Sequence, residues 1–326
     1  MMLFKVLLCF TLMLVCYNVE GFYADNGMED YIGDLKDNAV LDEELAEATD
    51  TLRASSEEVI YNATAANIWY RNRHGANSER FICTVGPQIR KICGFKYPFN
   101  IRITEKGRVY VTEYGTNYIH ILNLAGTHIK KFAVPKGHPT GVFTRGNIVY
   151  VTNTADEVYK YTLNGEYLEA KYLKGAVPIS IALDYDDLMY VCKWHSRNIQ
   201  VFHRDGTASH VISYSGMRPR ILHFDESDNL YVSDHYKKVL YVFNKYGKFL
   251  RKVSVPSKLT DGFAMDRAGN IFVPDRTKNA GKLFILNNAG KVLKTIGGMV
   301  GASDVAIAPD GTVWVVDFEG GCLLHY

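Results

Sequence analysis

DNLYVSDHYKKVLYVFNKYGKFLRKV, residues 228–253, decides the fold. It opens on an Asp-Asn turn and runs through an alternating apolar stretch, LYVSD. It turns again at His235 and Tyr236, and VLYVFN follows. Tyr246-Gly247 makes a third turn before KFLRKV. Period-two alternation, β-branched and aromatic enrichment and turn residues at short spacing predict three antiparallel strands in succession. An alternating run precedes the stretch, so the unit is a four-stranded meander.

The unit recurs. An aromatic residue followed by a small or β-branched pair and a polar residue appears as YVTE (Tyr110), YVTN (Tyr150), YVCK (Tyr190), YVSD (Tyr231), FVPD (Phe272) and WVVD (Trp314). Successive aromatics lie 40, 40, 41, 41 and 42 residues apart, a repeat near forty. No segment inside the period holds a helical pattern, which argues against leucine-rich and helical solenoids. One meander cannot bury both of its apolar faces, whereas a ring of them can. The expected fold is all-β, a six-bladed β-propeller of four-stranded antiparallel blades.

The sixth copy has two strands and then CLLHY, residues 322–326, with no outer strand after it. Residues 80–94, RFICTVGPQIRKICG, look like half a blade, and their QIRKIC resembles HIKKFA of the first full unit. They are expected to complete the last blade and remove two free edges.

The repeat resembles the NHL family of propeller blades. Residues 228–253 carry the closest likeness, and GNIFVPDRTKNAGKLFILNNAGKVLKTIG, residues 269–297, is also close. The resemblance covers the chain from about residue 97 onward and is specific for fold. It leaves function open, because the architecture hosts binders, hydrolases and lyases.

The chain divides by composition. Residues 1–24 read as a signal peptide: Lys5, then the apolar run LLCFTLMLVC, too short to span a bilayer. No later stretch is apolar enough to cross a membrane. Residues 25–79 form an acidic leader, partly helical or disordered, with a net charge of −10 between residues 25 and 60. Residues 80–326 make the propeller, and from residue 61 the net charge is +12. Secretion to the extracellular space is expected, with a sequon at Asn62 open to glycosylation. Of the cysteines past the signal, Cys322 is expected to pair with Cys83 or Cys93, a Cys83–Cys93 hairpin bridge being the competitor. Cys192 is expected to be a buried free thiol.

Aligned repeats place Glu113, Asn153, Lys193, Asp234, Asp275 and Asp317 at equivalent positions near one mouth of the channel. Asn100, Asp261 and Asp304 fall in the incoming loops. The NHL resemblance implies that such an oxygen-rich ring can hold Ca²⁺, and it requires no other cofactor. The repeated Asp can equally be a turn residue bonding local amides. The resemblance extends to a zinc lyase that uses channel histidines, but of these loops only one carries a nearby His, His138, so three zinc ligands do not converge. Trp194, His195, Arg197 and His235 are polar candidates at the mouth.

Basic pairs mark the fourth strands: Arg90 with Lys91, Lys130 with Lys131, Arg251 with Lys252. Edge lysines guard sheets against foreign strands. They would also form a solvent-facing rim for an extracellular protein or an acidic glycan. The export signal argues against nucleic acid as the ligand. Two readings follow. One is a non-enzymatic binding module; the other is a Ca²⁺-dependent hydrolase or lactonase with its metal in the mouth.

Overall fold

The computed structural model describes residue 88 and residues 90–173, 176–258 and 260–326. The signal peptide, the acidic leader, Asn62 and Cys83 lie outside the described residues. Six four-stranded antiparallel sheets form a six-bladed propeller. Blade 6 begins the chain order with β1 (Arg90–Cys93). Blade 1 follows as β2 (Pro98–Ile103), β3 (Val109–Glu113), β4 (Tyr118–Leu122) and β5 (His128–Ala133). Blade 2 holds β6 (Pro139–Arg145), β7 (Ile148–Asn153), β8 (Glu157–Thr162) and β9 (Tyr167–Tyr172). Blade 3 holds β10 (Pro178–Leu183), β11 (Met189–Lys193), β12 (Asn198–Phe202) and β13 (Ala208–Ile212). Blade 4 holds β14 (Pro219–Phe224), β15 (Leu230–Asp234), β16 (Val239–Phe243) and β17 (Phe249–Ser254). Blade 5 holds β18 (Ala264–Met265), β19 (Ile271–Asp275), β20 (Gly281–Leu286) and β21 (Val292–Met299). The chain ends with β22 (Ala302–Ile307), β23 (Val313–Asp317) and β24 (Cys322–His325), against which β1 pairs. Among the described residues no helix is long and apolar enough to cross a membrane.

The repeated motif forms the second strand of each blade, and its aromatic holds neighbouring blades together. Tyr110, Tyr190, Phe272 and Trp314 are fully buried. Tyr110 donates its hydroxyl to Leu163 O of blade 2 (2.8 Å), and Tyr190 donates to Lys245 O of blade 4 (3.0 Å). Each such ring buries a large apolar face against the next blade while its hydroxyl finds an acceptor there. The outer strands contrast with this. β5 is exposed at five of its six residues, as an edge must be.

β1 closes the ring. Its register sets Arg90 opposite His325 and Cys93 opposite Cys322, and Cys93 and Cys322 are joined as a disulfide. Of the two partners left open for Cys322, the register selects Cys93. Cys192 is a buried free thiol whose pKa burial pushes up, with Arg220 opposing.

Candidate functional site

Most first strands begin with a β-bulge. The register slips between Pro98 and Ile101, Pro139 and Val142, Pro219 and Leu222, and Ala302 and Asp304. A bulge re-aims the side chains it contains. Here it places Asn100, Arg220 and Asp304 around the channel at the face where the loops between second and third strands also lie.

Asp261 organises this mouth. It is 1% exposed and receives two guanidinium groups and an imidazole. Arg220 Nε donates to Oδ1 (3.0 Å), His235 Nδ1 meets the same oxygen (2.5 Å), and Arg276 Nη1 donates to Oδ2 (2.8 Å). Burial alone would raise its pKa; Arg220, His235 and Arg276 outweigh that and hold the carboxyl well below the usual range. The two guanidinium groups also lie on aromatic faces. Arg220 sits over Phe99 (5.0 Å) and Trp194 (4.8 Å), and Arg276 sits over Phe318 (3.8 Å). Two arginines, a histidine and three rings thus converge on one carboxylate.

Asp304 behaves differently. Its Oδ2 accepts from Asn100 Nδ2 (2.6 Å) and from the Ile101 amide (2.9 Å). A Cβ at Gly262 would collide with Oδ1, so glycine is the residue that lets the blade-5 backbone approach this carboxyl. Burial pushes its pKa up to about 8, Asp261 adds to the rise, and the Ile101 and Val305 amides and Arg102 oppose it. The folded protein therefore holds a proton that the unfolded chain, with an ordinary Asp near 3.9, has released. Stability through this group falls as pH rises from about 4 to about 8. Asp304→Asn keeps an acceptor oxygen and cannot ionise. Thermal melts between pH 5 and pH 9 are expected to show wild type losing stability as pH rises and D304N losing less. Parallel curves would assign the proton elsewhere.

The repeated polar residues are committed to backbone. Asp234 accepts from the amides of Arg218, Tyr236 and Lys237, and Asp317 from those of Val300 and Gly301. Asn153 accepts from Ala155 and Glu157 and donates to Lys136 O. Asp275 accepts from the amide and hydroxyl of Thr277. Glu113 bonds the Lys96 amide, Thr116 and His120. Their oxygens hold the mouth loops in shape. Among the described residues no group of three or more His, Cys, Asp or Glu side chains is placed to hold a metal ion. Asp304, the sixth candidate of the ring, is taken up by Asn100 and the Ile101 amide. His138 turns aside to Thr116 O (3.0 Å).

The rim residues lie where expected, on the outer strands. Arg90, Lys91, Lys130, Lys131, Arg251 and Lys252 are all exposed. Three of the six do not simply point into solvent. Arg251 donates to Asn288 O of blade 5 (2.9 Å) and to Tyr231 Oη (3.0 Å), which ties two blades together. Lys252 lies over the rings of Tyr214 and Tyr241, and Lys131 over Tyr118. The stems of long cations cover apolar surface while the charge stays wet.

Arg220, Arg276, Phe99 and Phe318 escape a reading by repeats, because the residue types at their positions vary from blade to blade. The available signal was local: an Arg in the incoming loop Pro219-Arg220, and an Arg after FVPD.

Fold and mouth together define a six-bladed β-propeller with a polar, aromatic-lined channel. No protein-family model matches the chain, and no curated protein does. Solved structures match its fold. A streptogramin B lyase is 13% identical, over 73% of this chain and 96% of that one, with a TM-score of 0.58. Virginiamycin B lyase from Staphylococcus aureus is also 13% identical, over 73% and 87%, with a TM-score of 0.56. A gluconolactonase candidate is 16% identical, over 72% and 89%, with a TM-score of 0.59. At such identities the likeness establishes the propeller alone.

Proposed function

We propose that this chain is a secreted binding module of the NHL-repeat type, presenting its propeller loops and a basic rim to an acidic extracellular partner. A sulfated polysaccharide is the partner chemistry that fits best. One observation carries the reading: among the described residues, none of the six rim cations is in an ion pair. Their cross-strand neighbours are His325, Leu324, Ile121, His120, Val242 and Tyr241. The outer strands RKIC, HIKKFA and FLRKVS carry no carboxylate at all. Blade 2 differs, since its outer Glu169 neutralises Lys160 (2.5 Å). Protecting an edge needs charge of either sign, whereas a rim of one sign favours a polyanion. The apolar leader run and a disulfide joining the two ends of the propeller support an oxidising, extracellular setting.

Heparin chromatography tests it. The full chain is expected to be retained and to elute only at raised salt, because exposed charges are screened over roughly 8 Å at physiological ionic strength. Replacing Arg90, Lys91, Lys130 and Lys131 by Gln removes four contacts worth about 0.2–1 kcal/mol each, so affinity should fall about fourfold or more. Arg251 is left in place, since its bonds between blades would confuse the result. Elution of wild type and variant at the same low salt would reject the rim as a binding surface.

A further inference from the structure

The channel continues past Asp304 to the face opposite the mouth. There the turns between first and second strands of blades 1 to 4 enclose a cavity of about 760 Å³. Arg102, Phe143 and His223 line both this cavity and the narrower channel, about 210 Å³, that reaches Asp304.

Arg102 is the residue there that lacks a partner. A guanidinium stays charged in proteins. Its Nε is buried and has no acceptor among the described residues. Its close contact is the Phe143 ring, 4.7 Å from the guanidinium carbon. Burial first, and Arg145 second, press against its charge, with Asp304 and Glu105 opposing. The neighbouring cations are already engaged. Arg145 Nη2 donates to Leu183 O (3.0 Å) and Asp184 O (2.6 Å), and Arg108 Nη1 to Leu163 O (3.0 Å) and Asn164 Oδ1 (2.7 Å). Burial, and then Arg102 itself, lower the His223 pKa to about 4, so this ring adds no second charge.

We propose that this far cavity binds a small organic monoanion, a carboxylate whose head pairs with the Arg102 guanidinium and whose apolar body lies against Phe143. The open nitrogen sets the valence: Arg102 Nε is buried without an acceptor among the described residues, and one negative charge there would satisfy it. The open Nε edge sets the head group, because guanidinium pairs side-on with a planar carboxylate through two parallel bonds. The volume sets the body. A water occupies about 30 Å³, so the cavity has room for much more than an inorganic ion, and it falls in the usual range of ligand pockets, about 300–1,000 Å³. The site is independent of the rim and of its proposed partner.

Benzoate and its neutral counterpart benzamide are suitable probes, used on the full chain by calorimetry and thermal melting. Wild type is expected to bind benzoate at least tenfold more tightly than benzamide and to melt higher in its presence. Arg102→Met should lose at least tenfold in benzoate affinity while melting no lower than wild type without ligand, because it removes a buried guanidinium nitrogen that lacks an acceptor. Arg102→Lys, a point charge without the fork, should bind more weakly than wild type and more tightly than R102M. Four results would overturn the proposal. These are no benzoate binding by wild type, equal binding of benzamide, unchanged benzoate binding by R102M, or an R102M protein that melts far below wild type, which would make Arg102 a structural cation. Tighter binding of inorganic phosphate than of benzoate at Arg102 would overturn the assignment of a monoanion.

Discussion

Cys93→Ser lowers the unfolding free energy by about 3–5 kcal/mol, one of the two largest single effects expected outside the apolar core. The bond joins residues 229 apart, so it closes almost the whole propeller into one loop. Loop-closure entropy grows slowly with length, and for a loop of that size the chain-entropy relation gives about 5 kcal/mol at 25 °C. A second contribution has the same sign. β1 has four residues and belongs to blade 6 through its pairing with β24 alone. Without the bond, fraying of β1 would open the seam between the first and last blades. Cys93 is the better site for substitution because it is exposed, whereas Cys322 is buried and Ser there would add a desolvated hydroxyl. The check is urea unfolding of wild type and C93S, each with and without reductant. Wild type in reductant should match C93S, and C93S itself should not respond. Equal midpoints for oxidised wild type and C93S would show that strand pairing alone seals the ring. Cys192 serves as the internal control: buried and free, it should react with a thiol reagent only as the protein unfolds.

The parts of this molecule that repeat were legible in the sequence, and the parts that do not repeat were not. Six aromatics at near-equal spacing specify six second strands, since each must fill the same gap between blades; Tyr110 and Tyr190 both reach the following blade. Closure by a strand ahead of blade 1 was legible from the missing outer strand of the last. The choice between Cys83 and Cys93 was not, because it depends on the register of β1 against β24. The candidate site shows the opposite balance. The polar residue after each motif recurs, and it recurs because every blade has the same loop amides to satisfy, as Asp234 and Asp317 do. Periodicity therefore drew attention to residues that shape loops. Asp261 and its three partners come from three different loops and the start of β14, and each residue type occurs there once, so no pattern marks their convergence. Arg102 lies in β2, where a polar residue among apolar ones reads as ordinary strand alternation, and its want of a partner appears only once the neighbouring blades are in place.

Asp261→Asn is expected to cost about 3–5 kcal/mol, the range for removing one partner from a buried charged network. Two guanidinium groups and an imidazole lose their common partner at once. Arg220 and Arg276 keep their aromatic contacts with Phe99, Trp194 and Phe318, but these rings compensate only part of a desolvated charge. Arg276 also lies 3.7 Å from Glu319, so Arg220 should be left the more exposed to the loss. The pH dependence gives an independent readout. The folded-state pKa of Asp261 lies below that of the unfolded chain, so its contribution is fully present above the ordinary Asp value near 3.9 and is lost as pH falls through the depressed one. Acid unfolding of wild type should therefore steepen below about pH 4, and D261N should lack that component. A compensating variant separates charge from packing. If the cost is uncompensated cation, Asp261→Asn combined with Arg220→Met should be more stable than D261N alone, because the added change removes a buried charge and leaves an apolar stem between Phe99 and Trp194. If the double variant is less stable than D261N, the mouth is held by the shape of Arg220 against those rings, and Asp261 is secondary to the aromatic frame.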